Sequence, residues 1–312
     1  MKVLFAGTPQ IAVPSLEKIA RRHQIVGVLT NPDRVSGRGR RALPPPVKVK
    51  AGELGLPVYQ FETLRREARD VIGPLGAEIL VVFAYGRIFG PKFLGLFPHG
   101  GINIHPSLLP RYRGSIPLVA SLMNGDGETG VSVQRIALEL DSGDILMQEV
   151  LPLTGSETTA DLTGLASQTG AELVTKVLDK IEDGTVQSKT QDTGQATYCR
   201  KLQKDDGRIN WRLPAVMIER MVRAYNPWPK AYTYWQGVQL SLLQSHVSDT
   251  GDTGRAIPGT VVGIDRKSGI LVQTGRGLLC AEQLQLQGRK ALNWKDFING
   301  NRSLIGSQLG DN

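Results

Sequence analysis

Along the first hundred residues, apolar positions follow two alternating rhythms. Lys2–Gly7 (KVLFAG) and Glu78–Ala84 (EILVVFA) are short unbroken apolar runs with the look of buried strands, the second of a central parallel one. Between them, residues 13–22 place Leu16, Ile19 and Ala20 at helical spacing after the turn Thr8-Pro9, and 47–54 reads as a second helix. Gln24–Thr30, Pro57–Tyr59 and Gly101–His105 read as further strands. Strands alternating with helices predict an α/β fold: an open, mostly parallel sheet with helices on both faces.

Past residue 105 the pattern changes. Residues 115–123 read as a helix, and 130–136 and 144–150 as strands separated by the tight turn Asp141-Ser142-Gly143. Ser156 is placed to cap a helix running to about residue 181, with Leu162, Leu165, Leu173, Val177 and Ile181 on one face, and Gly184 ends it. The polar stretch that follows reads as a linker. From residue 208 a short helix (214–223) precedes Asn226-Pro227-Trp228-Pro229, then runs at 231–247, 259–264, 269–274 and 277–286 predict a small all-β barrel. The proline-rich segment reads as a rigid turn packing Trp228 against the barrel; its alternative is a stacking platform for a base.

Composition narrows the class. A chain of 312 residues with 40% hydrophobic and 21% charged residues is globular and long enough for two domains. No apolar run is long enough to cross a membrane as a helix, and MKVLFAGTP lacks the pattern of a secretory signal, so a cytoplasmic protein is expected. Cys199 and Cys280 cannot build a disulfide framework or a four-ligand zinc site, and His23, His99, His105 and His246 show no metal spacing, so no metal is expected. Nothing points to an obligate interface, and a monomer is expected.

The net charge of +8 is uneven. Residues 1–199 carry 21 Lys/Arg against 20 Asp/Glu; residues 200–312 carry 16 against 9. A near-neutral body joined to a basic second part suggests a catalytic domain with a polyanion-binding appendage. A second basic cluster, Arg34, Arg38, Arg40, Arg41, Lys48 and Lys50, contains no acid and is broken by Gly37, Gly39 and Pro44–Pro46. It predicts a long exposed loop whose arginine forks suit phosphate contacts.

Phe5-Ala6-Gly7-Thr8-Pro9 sits where a dinucleotide fold would carry its phosphate loop, but the glycine fingerprint of a nicotinamide site is absent. The informative stretch is GINIHPSLLPRYRG, residues 101–114. Asn103 and His105 are two apart at a strand end, so they share one face and point toward the cleft beyond the strands. In Glu139-Leu140-Asp141-Ser142-Gly143-Asp144, the acids are either turn formers or partners for His105. An amide donor, a proton-carrying imidazole and an orienting carboxylate together suit transfer of an acyl-like group to an amine.

NIHPSLLPRYRG and LDSGDI resemble the paired signatures of the 10-formyltetrahydrofolate-dependent formyltransferases. FAGTP, NPDRVSGRGRRALPPPVKV and AYNPWPKA extend the resemblance to nearly the whole chain, toward the branch whose acceptor is methionyl-tRNA. The resemblance implies a Rossmann-like catalytic domain (1–189), a linker (190–207) and a basic, OB-like tRNA-binding domain (208–312). It implies that Asn103, His105 and Asp141 are catalytic and that Ser107, Leu108, Leu109 and Pro110 form the folate-binding loop. Arg38 matches loop residues that approach the acceptor end of the tRNA; Arg40, Arg41, Lys201 and Lys204 extend that basic surface. It further implies 10-formyltetrahydrofolate as co-substrate and initiator methionyl-tRNA as acceptor. A formyltransferase acting on a small amine would share the site but has no need of the basic barrel.

Overall fold

In a computed structural model of the chain, which describes residues 1–36, 41–250 and 256–310, the apolar runs become strands in the predicted order. These are β1 (Lys2–Gly7), β2 (Gln24–Leu29), the short β3 (Arg34–Ser36) and β4 (Arg41–Leu43), β5 (Val58–Tyr59), β6 (Ile79–Phe83) and β7 (Gly101–His105). A two-residue strand, β8 (Arg113–Gly114), precedes the long pair β9 (Glu128–Arg135) and β10 (Ile145–Pro152). The main sheet has the order β10-β9-β7-β6-β1-β2-β5. Its pairings from β5 to β7 are parallel, and β9 and β10 add antiparallel strands at one edge. Chain order runs outward from β1 to β5, then returns to β6 and β7 on the other side of β1. Such a reversal opens a crevice beyond the carboxyl ends of the strands.

Contacts divide the chain into two units. The first is Met1–Pro117, Glu128–Pro152 and Thr163–Cys199; the second is Leu118–Gly127, Leu153–Leu162 and Arg200–Asn312. In the first, β1 and β6 are buried along almost their whole length, as expected of strands covered on both faces. Leu4, Ala6, Leu80 and Val82 pack with Phe89, Phe93 and Phe97 on one side.

Several local expectations change. The basic cluster is not irregular throughout: β3 and β4 pair antiparallel, and helix α1 (Pro46–Glu53) starts within the proline run, where proline fits the first helical turn. Arg38 and Arg40 lie outside the described residues. The long helix α2 (Thr159–Glu182) is capped by Thr158 rather than Ser156. Thr158 Oγ1 accepts from the Asp161 N–H, and Asp161 accepts from the Thr158 N–H, a reciprocal capping box. Leu165, expected on the inner face with Leu162 and Leu173, is 49% exposed. Residues 190–207, read as an irregular linker, contain β11 (Tyr198–Cys199), which pairs parallel with β8 inside the first unit.

The second unit is a small antiparallel OB-like barrel. β12 (Ala231–Trp235), β13 (Val238–Val247), β14 (Val261–Asp265), β15 (Gly269–Gln273) and β16 (Leu278–Leu286) form a sheet in the order β12-β13-β16-β15-β14. Helix α3 (Ala215–Ala224) plugs it with Ile218, Met221 and Val222, against Trp211, Leu240, Val272 and Leu279. The segment 306–310 bridges the free edges: Gly306 and Ser307 bond Val261, and the Gly310 N–H donates to Tyr234 O at 3.0 Å. Trp228 is not packed against the barrel; it is 55% exposed.

Candidate active site

Ile102 and Ile104 of β7 face the buried side, and Asn103 and His105 share the other. β9 runs antiparallel beside β7, with Gln134 opposite Asn103 and Ser132 opposite His105. Opposed residues of an antiparallel pair share a face, so four polar side chains gather on two adjoining strands.

His105 is buried, and its Nε2 lies 2.8 Å from the Tyr112 carbonyl oxygen. A carbonyl only accepts, so Nε2 carries the hydrogen. Nδ1 then faces Asp141 Oδ2 at 3.6 Å. That separation is too long for a hydrogen bond, and it becomes a charge contact only when Nδ1 is protonated. It leaves Nδ1 as the nitrogen able to exchange a proton.

Asp141 brings the constellation together. Its Oδ2 accepts the Gly114 N–H at 2.9 Å; its Oδ1 accepts Gln134 Nε2 at 3.1 Å and Asn103 Nδ2 at 3.4 Å. Three N–H donors thus converge on one carboxylate. Asn103 makes no other side-chain hydrogen bond among the described residues and is half-buried, leaving an N–H and its amide oxygen for a ligand. Two glycines permit this approach. A Cβ at Gly143 would overlap the Arg135 carbonyl, and one at Gly114, which has φ +114°, would overlap the Cys199 carbonyl. Asp141 itself has φ +49°, a conformation Asp tolerates better than most residues.

The 107–110 loop begins beside His105, with the Ser107 N–H donating to His105 O. Ser107 is buried and its hydroxyl donates to Arg111 O at 2.7 Å. Leu109 is buried too; its N–H donates to Ser132 Oγ, and its carbonyl accepts from Gln148 Nε2. Leu108 lies over Gly130, where a Cβ would overlap its side chain, and Leu108 and Pro110 stay half-buried. Of the basic residues singled out, Arg41 opens β4, whereas Lys201 and Lys204 are exposed in the second unit.

Sequence reasoning missed Gln134, Gln191 and Arg113. Gln134 had a signal: in VSVQR, Ser132 and Gln134 alternate with the buried Val131 and Val133, so the strand turns a polar face inward. Gln191 had none, sitting in a polar stretch of ordinary loop composition. Cys199, near Asp141, is not an activated thiol, because burial pushes its pKa up.

Residues 1–178 match the family described as formyl transferase, and residues 201–302 match its C-terminal domain. The chain belongs to the formyltransferase family. It is 44% identical to the methionyl-tRNA formyltransferase of Treponema pallidum, covering 99% of both chains. It is 42% identical to that of Chloroflexus aurantiacus, covering 96% of this chain and 97% of the relative. Among solved structures it is similar to a sugar 3N-formyltransferase, WlaRD, with a TM-score of 0.66, 18% identity, and 93% and 99% of the two chains covered. An N-formyltransferase from Helicobacter canadensis gives a TM-score of 0.66 at 20% identity, covering 90% and 98%. At these identities the structural likenesses show the shared fold.

Proposed function

We propose that Asn103, His105 and Asp141 transfer the formyl group of 10-formyltetrahydrofolate to the α-amino group of initiator methionyl-tRNA. The observation that carries this reading is the Asp141 carboxylate, which reaches Asn103 with one oxygen and His105 with the other. The relatives named above are methionyl-tRNA formyltransferases, which supports the choice of acceptor.

The free amine attacks the formyl carbon, forming a C–N bond while the carbonyl electron pair moves to oxygen. Asn103 donates its unengaged N–H to that oxyanion. His105 takes a proton from the attacking nitrogen on Nδ1 and returns it to N10 as the old C–N bond breaks. The oxyanion collapses to the new formamide. One proton, lost by the ammonium before attack, passes to solvent. Asp141 holds the imidazole in place and supports its transient positive charge. The 107–110 loop, fixed by Ser132 and Gln148, offers the half-buried Leu108 and Pro110 to the folate. The folate is consumed stoichiometrically and is a substrate.

The first unit supplies the catalytic domain and the barrel the RNA-binding one. Arg38, Arg40 and Arg41 contact the acceptor end, and Lys201 and Lys204 the backbone. Among the described residues no helix is long and apolar enough to cross a membrane. The reaction belongs in the cytoplasm, carried out by a monomer, which light scattering of the purified chain tests.

The decisive assay supplies 10-formyltetrahydrofolate with charged initiator methionyl-tRNA, and in parallel with free methionine. Formyl-methionine on the RNA alone is the expected result. Folate turnover without product on the RNA would move the acceptor to a small amine.

A further inference from the structure

Arg113 is 2% exposed and has no carboxylate partner among the described residues. A buried guanidinium without a counter-charge is costly unless its donors are satisfied. Its Nε and Nη2 both donate to Gln191 Oε1, at 3.1 and 2.7 Å, and its Nη1 donates to Tyr198 OH at 3.2 Å. Arginine only donates, so it forces the amide oxygen of Gln191 toward itself. The Gln191 Nε2 is thereby turned the other way. There it meets Gly143 O at 2.7 Å, Asp141 O at 2.9 Å and Gln134 Oε1 at 3.1 Å. Gln134 is oriented in turn: its oxygen faces Gln191, and its Nε2 donates to Asp141 Oδ1 at 3.1 Å.

We infer that Arg113, Gln191 and Gln134 form an amide relay whose task is to position the Asp141 carboxylate on Asn103 and His105. The relay does two things. Gln191 clamps the backbone on both sides of Ser142, holding the left-handed Asp141 in register. The head-to-tail sequence of guanidinium, amide, amide and carboxylate polarises each bond in the same sense, so the buried positive charge supports the catalytic negative one. β11 makes the relay possible, because its pairing with β8 returns residues 190–199 to the first unit. Gln191 lies beyond the 178 residues of the catalytic family match. These are positioning residues: none is assigned contact with the reacting atoms.

The inference rests on the role proposed above for Asp141, and the test separates the two. Gln191→Met keeps the side chain's length and removes both its donor and its acceptor. The expected result is a kcat lowered on the order of 10–100-fold, the usual cost of losing such a supporting partner, with KM for both substrates held. Combined with Asp141→Asn, the Gln191→Met change should cost little more, since it acts through a group already removed. An unchanged kcat, a rise in KM in place of the loss in kcat, or multiplicative costs in the double variant would each overturn the relay. If Asp141→Asn alone kept the full rate, the catalytic reading of Asp141 would fail, whatever Gln191 did. Should Gln191→Met not fold, Gln134→Met tests the relay from its other end by the same kcat and KM readouts.

Discussion

Arg113 in the first unit is almost wholly buried, with its donors ending on a glutamine and a tyrosine, whereas Lys201 and Lys204 in the second stand in solvent with no ion pair among the described residues. The same elementary charge serves two ends. Buried, it organises neighbours through directed hydrogen bonds and is insensitive to salt. Exposed, it attracts a polyanion, and its worth depends on released counterions. Net charge therefore says nothing of a cation buried as Arg113 is.

That contrast can be tested by variants on either side of it. The largest effect is expected from Asn103→Ala, which should lower kcat by about 10²–10³, equivalent to about 2.7–4 kcal/mol, while leaving folate affinity nearly intact. A near-normal single-turnover rate would remove the oxyanion role. Gly143→Ala should come next. Its methyl would collide with the Arg135 carbonyl, and overpacking of this kind costs about 1–3 kcal/mol, read as a lower melting temperature together with lost activity. Intact stability would mean that the turn relaxes more easily than its geometry implies.

On the exposed side, Lys201→Ser with Lys204→Ser should raise KM for tRNA rather than lower kcat. The slope of log affinity against log salt should flatten by up to about 0.9 per lost phosphate contact. An unaltered slope would leave both lysines as solvated surface. Trp228→Ala belongs at the small end, within about 0.5 kcal/mol in stability, because the ring is mostly in solvent. A large loss would restore the packed-turn reading that its exposure contradicts.

Much of this arrangement was legible in the chain. The apolar runs of β1 and β6, the period of two in Asn103 and His105, and the Gly-bearing turn at Asp141 carry their structure locally. The relay was not legible. Arg113 is a charged residue among charged neighbours in PRYRG, and only β8 pairing with β11 buries it. Leu165 fitted the helical spacing yet is half exposed, because a helix face is selected by what packs on it. Ser156 lost the cap to Thr158 because Asp161 stands three residues after Thr158, where it closes the reciprocal pair.

The same helix start is sensitive to acid. Burial works against the Glu157 charge, but hydrogen bonds from Thr154 Oγ1 and from the Thr154 and Gly155 N–H groups outweigh it and bring the carboxyl down to about 2. Its folded pKa is depressed, so its contribution to stability is complete above the ordinary carboxylate range and is lost as pH falls toward 2. The melting-temperature gap between wild type and Glu157→Gln should therefore be open at pH 7 and close in acid. A gap that widens in acid would reverse the assignment.

The barrel's closing segment bears on how the protein is made. β14 spans Val261–Asp265, and its outer edge is bonded by Gly306 and Ser307, near the end of the chain. Synthesis proceeds from the amino end, so a nascent chain holds an open sheet edge until residues 306–310 have left the ribosome. A contact spanning that much sequence is late and slow to form. The second unit is therefore late to become aggregation-safe, and ribosome-bound chains halted before residue 306 should be the ones that recruit chaperones.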